Sequence, residues 1–130
     1  MSLIVKYGIN LLKMLTSFVF AWRGIRLAIV EENNMRVHLV AAVLVSMLGF
    51  FFQISLADWT ILCLVIGIVW TAEIFNSAFE RLVDIVSPDF NEKAGKIKDM
   101  AAGGVLVSAI VAVLVGGLIF SKYFLAWWEK

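Results

Sequence analysis

Hydrophobic residues fill three long stretches of this chain, and few polar positions interrupt them. The first stretch covers 37–56, and its polar residues are His38, Ser46, Gln53 and Ser55. The second, 59–79, is uncharged up to Glu73, and the third, 101–120, contains no charged residue. Each is close to the about 20 residues that a helix needs to cross the hydrocarbon of a bilayer. The pattern therefore predicts three transmembrane helices.

We predict one all-α integral membrane domain over 1–130. The expected bounds are 36–56, 58–86 and 90–122 for the three transmembrane helices, with an outer tail at 123–130. The second and third helices are expected to extend beyond the bilayer on the side where they are joined. Pro88, the only proline, lies in that connection, where a helix should end and the chain should turn.

The segment 3–35 has a different pattern, because charged residues interrupt its apolar positions too often for a span. Apolar residues recur there at helical spacing: Leu11, Leu12, Leu15, Phe18, Val19 and Trp22. Basic residues supply the polar positions: Lys13, Arg23 and Arg26. This combination is typical of an amphipathic helix that lies at the bilayer surface. The alternative is a helix that faces water.

Composition agrees with a membrane protein. Hydrophobic residues make up 62% and charged residues 16% of the chain, whereas a soluble domain has about half and about a quarter. The net charge of +1, without a basic run, gives no indication of nucleic-acid binding. The single cysteine, Cys63, allows no intrachain disulfide. We also expect no cleaved signal peptide, since the start lacks a long apolar region with a small-residue cleavage site.

The distribution of basic residues predicts the orientation. Of the 11 lysines and arginines, all except Lys122 and Lys130 precede the first span or lie between the second and third. The positive-inside rule makes that side cytosolic and places the C-terminus outside. Aromatic residues then gather at the outer interface: Trp59, Tyr123, Trp127 and Trp128.

Candidate chemistry begins with a polar face on the second predicted span. At 100° per residue, Glu73, Asn76, Glu80 and Asp84 share one helix face. Glu73 follows Trp59 by about 21 Å at 1.5 Å per residue, so it lies deep in the span toward the cytosolic side. A charged residue inside a membrane segment is costly and marks a functional site by default.

Further polar residues are expected at the same height. Before the first span these are Glu31, Glu32 and Asn34, and before the third they are Lys98 and Asp99. Such a layer suits a reaction between a water-soluble anion and a lipid headgroup. Glu32 and Glu80 offer oxygen ligands to Mg²⁺, and Lys98 can neutralise phosphate charge. Glu73 can accept a proton from a lipid hydroxyl, with Asn76 orienting it.

Other interpretations remain open at this point. Glu73 and Asn76 can hold helices together by hydrogen bonds, and Lys98 and Asp99 can form a surface pair. The chain contains neither a P-loop nor a protein-kinase signature. Composition alone does not separate a kinase from a small proton-coupled transporter or a non-catalytic assembly protein. The apolar outer half of the second span, 60–70, counts against a transport pathway.

Four motifs resemble the prokaryotic diacylglycerol kinase and undecaprenol kinase family. They are A-W-R-G-I-R at 21–26, E-N-N-M-R-V-H at 32–38, E-I-F-N-S-A-F-E-R-L-V-D at 73–84 and A-G-K-I-K-D-M-A-A-G-G-V at 94–105. The resemblance covers roughly 13–120. It implies a homotrimeric helical bundle in the bacterial inner membrane, with three transmembrane helices and an N-terminal surface helix per protomer. The family transfers the γ-phosphate of MgATP to a lipid hydroxyl, at cytosolic sites shared between protomers.

The resemblance also implies roles for individual residues. Glu73 matches the catalytic base, and Glu32 and Glu80 match the metal-coordinating carboxylates. The positions that match nucleotide-binding residues are Lys13, Phe20, Glu32, Glu80, Asp84, Asp89, Phe90, Asn91, Lys98 and Asp99. Those that match substrate-binding or orienting residues are Glu73, Asn76, Ala102 and Arg36.

The motif at 32–38 distinguishes between the two lipid substrates of the family, diacylglycerol and undecaprenol. The diacylglycerol branch reads like E-A-A-F-R-Q-E there, whereas the undecaprenol branch reads like E-R-N-x-[RK]-[IV]-H. Glu32, Asn34, Arg36 and His38 fit the undecaprenol form, although Asn33 replaces its usual basic residue. The A-A-G-G-V run also resembles that branch more than the G-S-A-A-V of the other. The expected substrate is therefore undecaprenol, with diacylglycerol as the alternative.

Overall fold

The computed structural model describes residues 11–129, which form four helices joined by short turns. The helices are α1 (Leu11–Glu31), α2 (Asn33–Phe52), α3 (Leu56–Val86) and α4 (Glu92–Trp128). Within this range α2, α3 and α4 are long and apolar enough to cross a membrane. The prediction of an all-α protein with three such helices is confirmed for the described residues.

Helix α1 corresponds to the predicted surface helix. Of that segment, residues 3–10 lie outside the described range. Most of the large apolar side chains of α1 are exposed, and Ala28 is its only buried residue. Its position at a bilayer surface stays a prediction, as does the homotrimer.

The helix ends follow local sequence signals, with one exception. Ser55 accepts a hydrogen bond from the Asp58 amide at 3.2 Å, which caps α3, and Asn91 does the same for α4. Helix α3 ends at Val86, just before Pro88, as predicted. The exception is α4, which runs to Trp128 through part of the predicted tail. No proline or glycine follows position 117, so nothing in the sequence interrupts the helix there.

Helix α3 is the centre of the bundle, because every other described helix contacts it and its interface with α4 is the most extensive. Its buried residues recur at helical spacing and form one face: Asp58, Leu62, Val65, Val69, Glu73, Asn76, Ser77 and Val83. Helices α2 and α4 pack against this face and contact each other only slightly. The space between α2 and α4 therefore leaves room for cavities along α3.

The turn between α2 and α3 brings these two helices close together. Gln53 adopts the left-handed conformation with φ of 51° and ends α2. A Cβ atom built on Gly49 would lie 2.8 Å from Cη2 and Cζ2 of Trp59. Only glycine allows the indole ring to approach the α2 backbone so closely.

A polar cluster joins α3 to α4 near the same turn. Asp58 is only 5% exposed, and both of its carboxylate oxygens accept hydrogen bonds from Lys122 at 2.8 Å. Oδ2 of Asp58 also accepts from Tyr123 at 2.6 Å and from Ser55 at 2.5 Å. This buried carboxylate is therefore fully provided with donors.

Candidate functional site

The other end of the bundle, where α1 meets α2, holds a buried carboxylate of a different kind. Glu73 is 1% exposed and Asn76, one turn further along α3, is 4% exposed. Oε2 of Glu73 and Oδ1 of Asn76 are buried and have no hydrogen-bond partner among the described residues. A buried acceptor without a donor is costly and requires an explanation. A ligand hydroxyl is one group that would supply the missing donor.

These two side chains line a cavity of about 290 Å³. Helix α2 contributes Asn34, Val37 and His38 to its wall, and α3 contributes Glu73 and Asn76. Helix α4 supplies Ala102, Val105, Leu106 and Ala109. The three membrane-spanning helices thus converge on Glu73.

A second and larger cavity adjoins the first along the bundle. It measures about 390 Å³, and its wall includes Leu48, Val65 and Phe120. His38 and Ala109 line both cavities. The cavity at Glu73 therefore has an apolar neighbour that is formed by the same three helices.

One of the two predicted metal ligands, Glu32, pairs with a cation. Glu32 occupies the junction between α1 and α2, and its Oε1 accepts a hydrogen bond from Arg81 at 2.7 Å. Arg81 also contacts Oε2 of Glu31 at 2.9 Å. Glu80 precedes Arg81 on α3 and accepts a hydrogen bond from Asn76 at 3.3 Å.

This donor set fits Mg²⁺ that is bound together with phosphate. No group of three or more His, Cys, Asp or Glu side chains within 11–129 is arranged to hold a metal by itself. Mg²⁺ is usually held by one or two carboxylates plus substrate phosphates, so a pair of carboxylates is sufficient. The guanidinium of Arg81 between Glu31 and Glu32 shows that the site already attracts positive charge.

The remaining nucleotide-binding predictions fall on both sides of the connection between α3 and α4. Lys98 forms an ion pair with Asp84, which joins the two helices beyond Glu80. Asp99 is exposed. Phe90 is 99% exposed in the turn. The carbonyl of Asp89 accepts a hydrogen bond from Ser87 in the same turn.

Two predicted residues have contacts within their own part of the chain. The Asn91 side chain accepts hydrogen bonds from the amides of Lys93 and Ala94 and caps α4. Arg36 donates to the carbonyls of Ile29 and Val30 at the end of α1. Such contacts hold helices in place, so they give Arg36 and Asn91 structural roles in addition to the predicted ones.

The predicted residues of α1 lie apart from the Glu73 cavity. Phe20 packs beneath the guanidinium of Arg23, which is 5.6 Å from its ring centre. Lys13 accepts hydrogen bonds at its carbonyl from Thr16 and Ser17, and neither Lys13 nor Phe20 lines the cavity. Their predicted contact with a nucleotide stays a prediction.

Sequence reasoning missed three residues of the site. Arg81 was used only as a basic residue that indicates orientation, and Asn34 and His38 were used only as polar residues and as part of the motif at 32–38 that distinguishes the two lipid branches. A signal for two of them was present, because Asn34 and His38 are four residues apart and share a helix face where the chain enters the bilayer. The partners of Arg81 could not be predicted from the sequence, because they depend on how α1 packs against α3.

Comparison with known proteins gives the same assignment as the motifs. The family described as prokaryotic diacylglycerol kinase matches residues 19–120. Undecaprenol kinase from Bacillus subtilis is 38% identical over 104 residues, which cover 80% of this chain and 85% of the relative. Diacylglycerol kinase from Escherichia coli is 30% identical over 105 residues, covering 81% and 86%.

A third relative is longer than this chain. Diacylglycerol kinase from Synechocystis sp. is 36% identical over 107 residues, which cover 82% of this chain but 61% of that protein. All three relatives are lipid kinases by name, and the match extends from α1 to the middle of α4. The chain therefore belongs to the prokaryotic diacylglycerol kinase family.

Proposed function

We propose that this protein is an ATP-dependent kinase that phosphorylates the hydroxyl of a membrane lipid alcohol, with undecaprenol as its substrate. The observation that carries the proposal is the Glu73 carboxylate, buried and with an unpartnered oxygen, in a cavity between three membrane-spanning helices. Such an acceptor, reached from an apolar cavity, can take the proton of a lipid hydroxyl. Diacylglycerol is the alternative acceptor.

In the proposed mechanism the lipid hydroxyl attacks the γ-phosphorus of ATP in line with the leaving ADP oxygen. Oε2 of Glu73 accepts the hydroxyl proton as the new O–P bond forms and the bond to ADP breaks. Asn76, one turn from Glu73 on the same face of α3, hydrogen-bonds the neighbouring carboxylate of Glu80. Proper positioning of these groups supplies most of the catalysis in phosphoryl transfer.

The anionic substrate requires positive charge near the same end of the bundle. Glu32 and Glu80 would hold Mg²⁺, which neutralises charge on the transferred phosphate when it is bound. Lys98, paired with Asp84 at the start of α4, supplies a further cation for the phosphates. Glu32 must exchange its contact with Arg81 for one with the metal.

The choice of undecaprenol rests on two observations. The undecaprenol kinase relative has 38% identity, and the two diacylglycerol kinases described above have 36% and 30%. The motif at 32–38 also has the undecaprenol pattern, and the structure puts Asn34 and His38 of that motif in the Glu73 cavity. The residues that distinguish the two patterns are thus close to the reacting group.

The setting of the reaction follows from charge and exposure. The basic residues place α1 and the α3–α4 connection in the cytosol, the active site at the cytosolic face of the bacterial inner membrane and the C-terminus outside. Many large apolar side chains of α2 and α4 are exposed in a single chain, for example Val113 and Leu118 at 75% each. We propose that lipid and neighbouring protomers of a homotrimer cover them, with active sites shared between protomers.

The test is phosphate transfer by purified protein in detergent micelles, with MgATP and either undecaprenol or diacylglycerol. Glu73→Gln should lower kcat by about 10²- to 10⁴-fold, the usual contribution of a general base, while the oligomer stays intact. Glu92→Gln is the matched control, because Glu92 is exposed and pairs with Lys96 away from the cavity.

Two results would contradict the proposal. Activity of Glu73→Gln at the level of Glu92→Gln would remove the base assignment. Absence of transfer to either lipid by the unsubstituted protein would remove the lipid-kinase assignment. Faster transfer to diacylglycerol than to undecaprenol would keep the mechanism and change the substrate.

A further inference from the structure

His38 stands at the boundary between the two cavities. It lines the polar cavity of about 290 Å³ around Glu73 and also the apolar cavity of about 390 Å³ that continues along the bundle. Its side chain is half-buried on α2, which forms the wall beside α3. A lipid with its chain in the apolar cavity and its hydroxyl at Glu73 would therefore lie beside His38.

The apolar cavity offers hydrogen bonds at only two side chains. Among the described residues that line it, His38 and Trp70 alone carry side-chain hydrogen-bonding groups. A hydrocarbon chain without polar groups fits such a wall, because it leaves no donor or acceptor unpaired. The ester carbonyls of a diacylglycerol, close to its hydroxyl, would need donors at this place. The cavity therefore fits an alcohol whose only polar group is its terminal hydroxyl.

An alcohol hydroxyl has one proton to donate and lone pairs that accept. In the proposed reaction the proton goes to Oε2 of Glu73, so the hydroxyl oxygen still needs a donor. Within the lining of the Glu73 cavity, α2 provides two polar side chains, His38 and Asn34 one turn earlier. Asn34 lines the Glu73 cavity alone, whereas His38 lines both cavities. Of these two residues, only His38 thus adjoins the apolar cavity.

We propose that His38 binds the hydroxyl oxygen of a single-chain lipid alcohol at the junction of the two cavities, and that Asn34 positions Glu73. This inference rests on the proposed function and goes further, because it assigns selection of the acceptor to two residues of α2. The hydroxyl lies between His38 and Glu73, and the chain follows the apolar cavity past Trp70. A polyprenol satisfies this arrangement, since it has a hydroxyl at the end of one hydrocarbon chain.

The experiment compares three variants and one control variant of the full-length protein with the unsubstituted one. His38→Ala should raise the KM for undecaprenol about tenfold, the effect of losing one hydrogen bond, and leave the KM for MgATP unchanged. His38→Gln should restore most of the affinity, because the amide can donate at a similar place. Asn34→Ala should lower kcat and leave both KM values unchanged. Asn33→Ala is the matched control, because Asn33 is exposed and does not line the cavity.

A binding measurement separates this inference from the kinase assignment. An undecaprenol analogue with a bromine-labelled chain should quench the fluorescence of Trp70, and Trp70→Phe should lose that part of the quenching. His38→Ala should weaken the quenching relative to Asn33→Ala. Equal quenching and equal KM values in these two variants would overturn the inference, even if the protein phosphorylates undecaprenol. Hydroxyl-dependent quenching without phosphate transfer would support the inference and overturn the kinase assignment.

Discussion

Gly49 allows a quantitative test of how α2 and α3 are held together. A Cβ atom at this position would lie 2.8 Å from two atoms of the Trp59 ring and 3.2 Å from Cδ1 of Ile54. Carbon atoms are in favourable contact at about 3.5–4.0 Å, so Gly49→Ala forces the ring or the helix to move. Overpacking of this kind costs about 1–3 kcal/mol.

The matched control is Gly67→Ala, in the middle of α3. A Cβ atom at Gly67 meets nothing within 4 Å in the described part of the chain. Replacing glycine with alanine in a helix interior stabilises it by about 0.8–1.0 kcal/mol, and this gain is common to both variants. It cancels in the comparison, so Gly49→Ala should be less stable than Gly67→Ala by about 1–3 kcal/mol.

The assay is unfolding in mixed micelles with increasing sodium dodecyl sulfate, followed by circular dichroism. The free energy of unfolding of each variant is compared at the same detergent composition. Equal stability of the two variants, or a more stable Gly49→Ala, would refute the close packing of Trp59 on α2. Gly49 lies near the end of α2 that is far from the Glu73 cavity, so both variants should keep the same activity per folded protein.

Three further predictions concern the two ends of the bundle. Ala102→Leu places a larger side chain in the Glu73 cavity and should raise the KM for the lipid more than the KM for MgATP, whereas Ala101→Leu, outside the cavity lining, should change neither. Arg81→Met frees two carboxylates, so half-maximal Mn²⁺ binding in the presence of a non-hydrolysable ATP analogue should need a lower metal concentration. Mn²⁺ binding is measured by electron paramagnetic resonance. An unchanged or higher concentration would show that Arg81 does not compete with the metal. Asp58→Asn should lower the thermal midpoint in detergent more than Lys122→Met, because Lys122 is half-exposed and its removal leaves the carboxylate two other donors. Equal midpoints would contradict that order.

The helices could be predicted from the sequence because the length of each hydrophobic run determines whether it can cross a bilayer. Each apolar run is long enough to cross a bilayer, and a span must satisfy its own backbone hydrogen bonds as a helix. The ends were predicted less well where a helix continues beyond the predicted span. Helix α2 begins at Asn33, before the apolar run, and α4 continues through Tyr123 to Trp128. Hydropathy marks where a helix meets water, whereas hydrogen bonding and caps decide where it ends.

The site could be predicted only as far as one helix determines it. Helical spacing placed Glu73 and Asn76 on one face, and both are buried on the inner face of α3. Glu80 is only half-buried and Asp84 is exposed, although they belong to the same face. The difference arises because α2 and α4 cover only part of α3. Contacts between helices depend on how the helices pack, and this packing cannot be predicted from the periodicity of a single helix.

The two ends of the bundle differ in how they treat a buried carboxylate, and this difference separates structure from function. In a membrane protein an unpaired polar group is expensive, because no water is available in the hydrocarbon region to compensate it. Asp58 meets this requirement, with donors from Lys122, Tyr123 and Ser55. Glu73 does not, since its Oε2 has no donor within residues 11–129. The same chain can thus satisfy a buried carboxylate completely when the carboxylate joins helices. If Glu73 also served only to join helices, a comparable set of donors would be expected around it. The unpaired oxygen instead belongs to a side chain that lines a cavity beside an apolar one, and the proposed role of Glu73 as proton acceptor would explain why it lacks a donor.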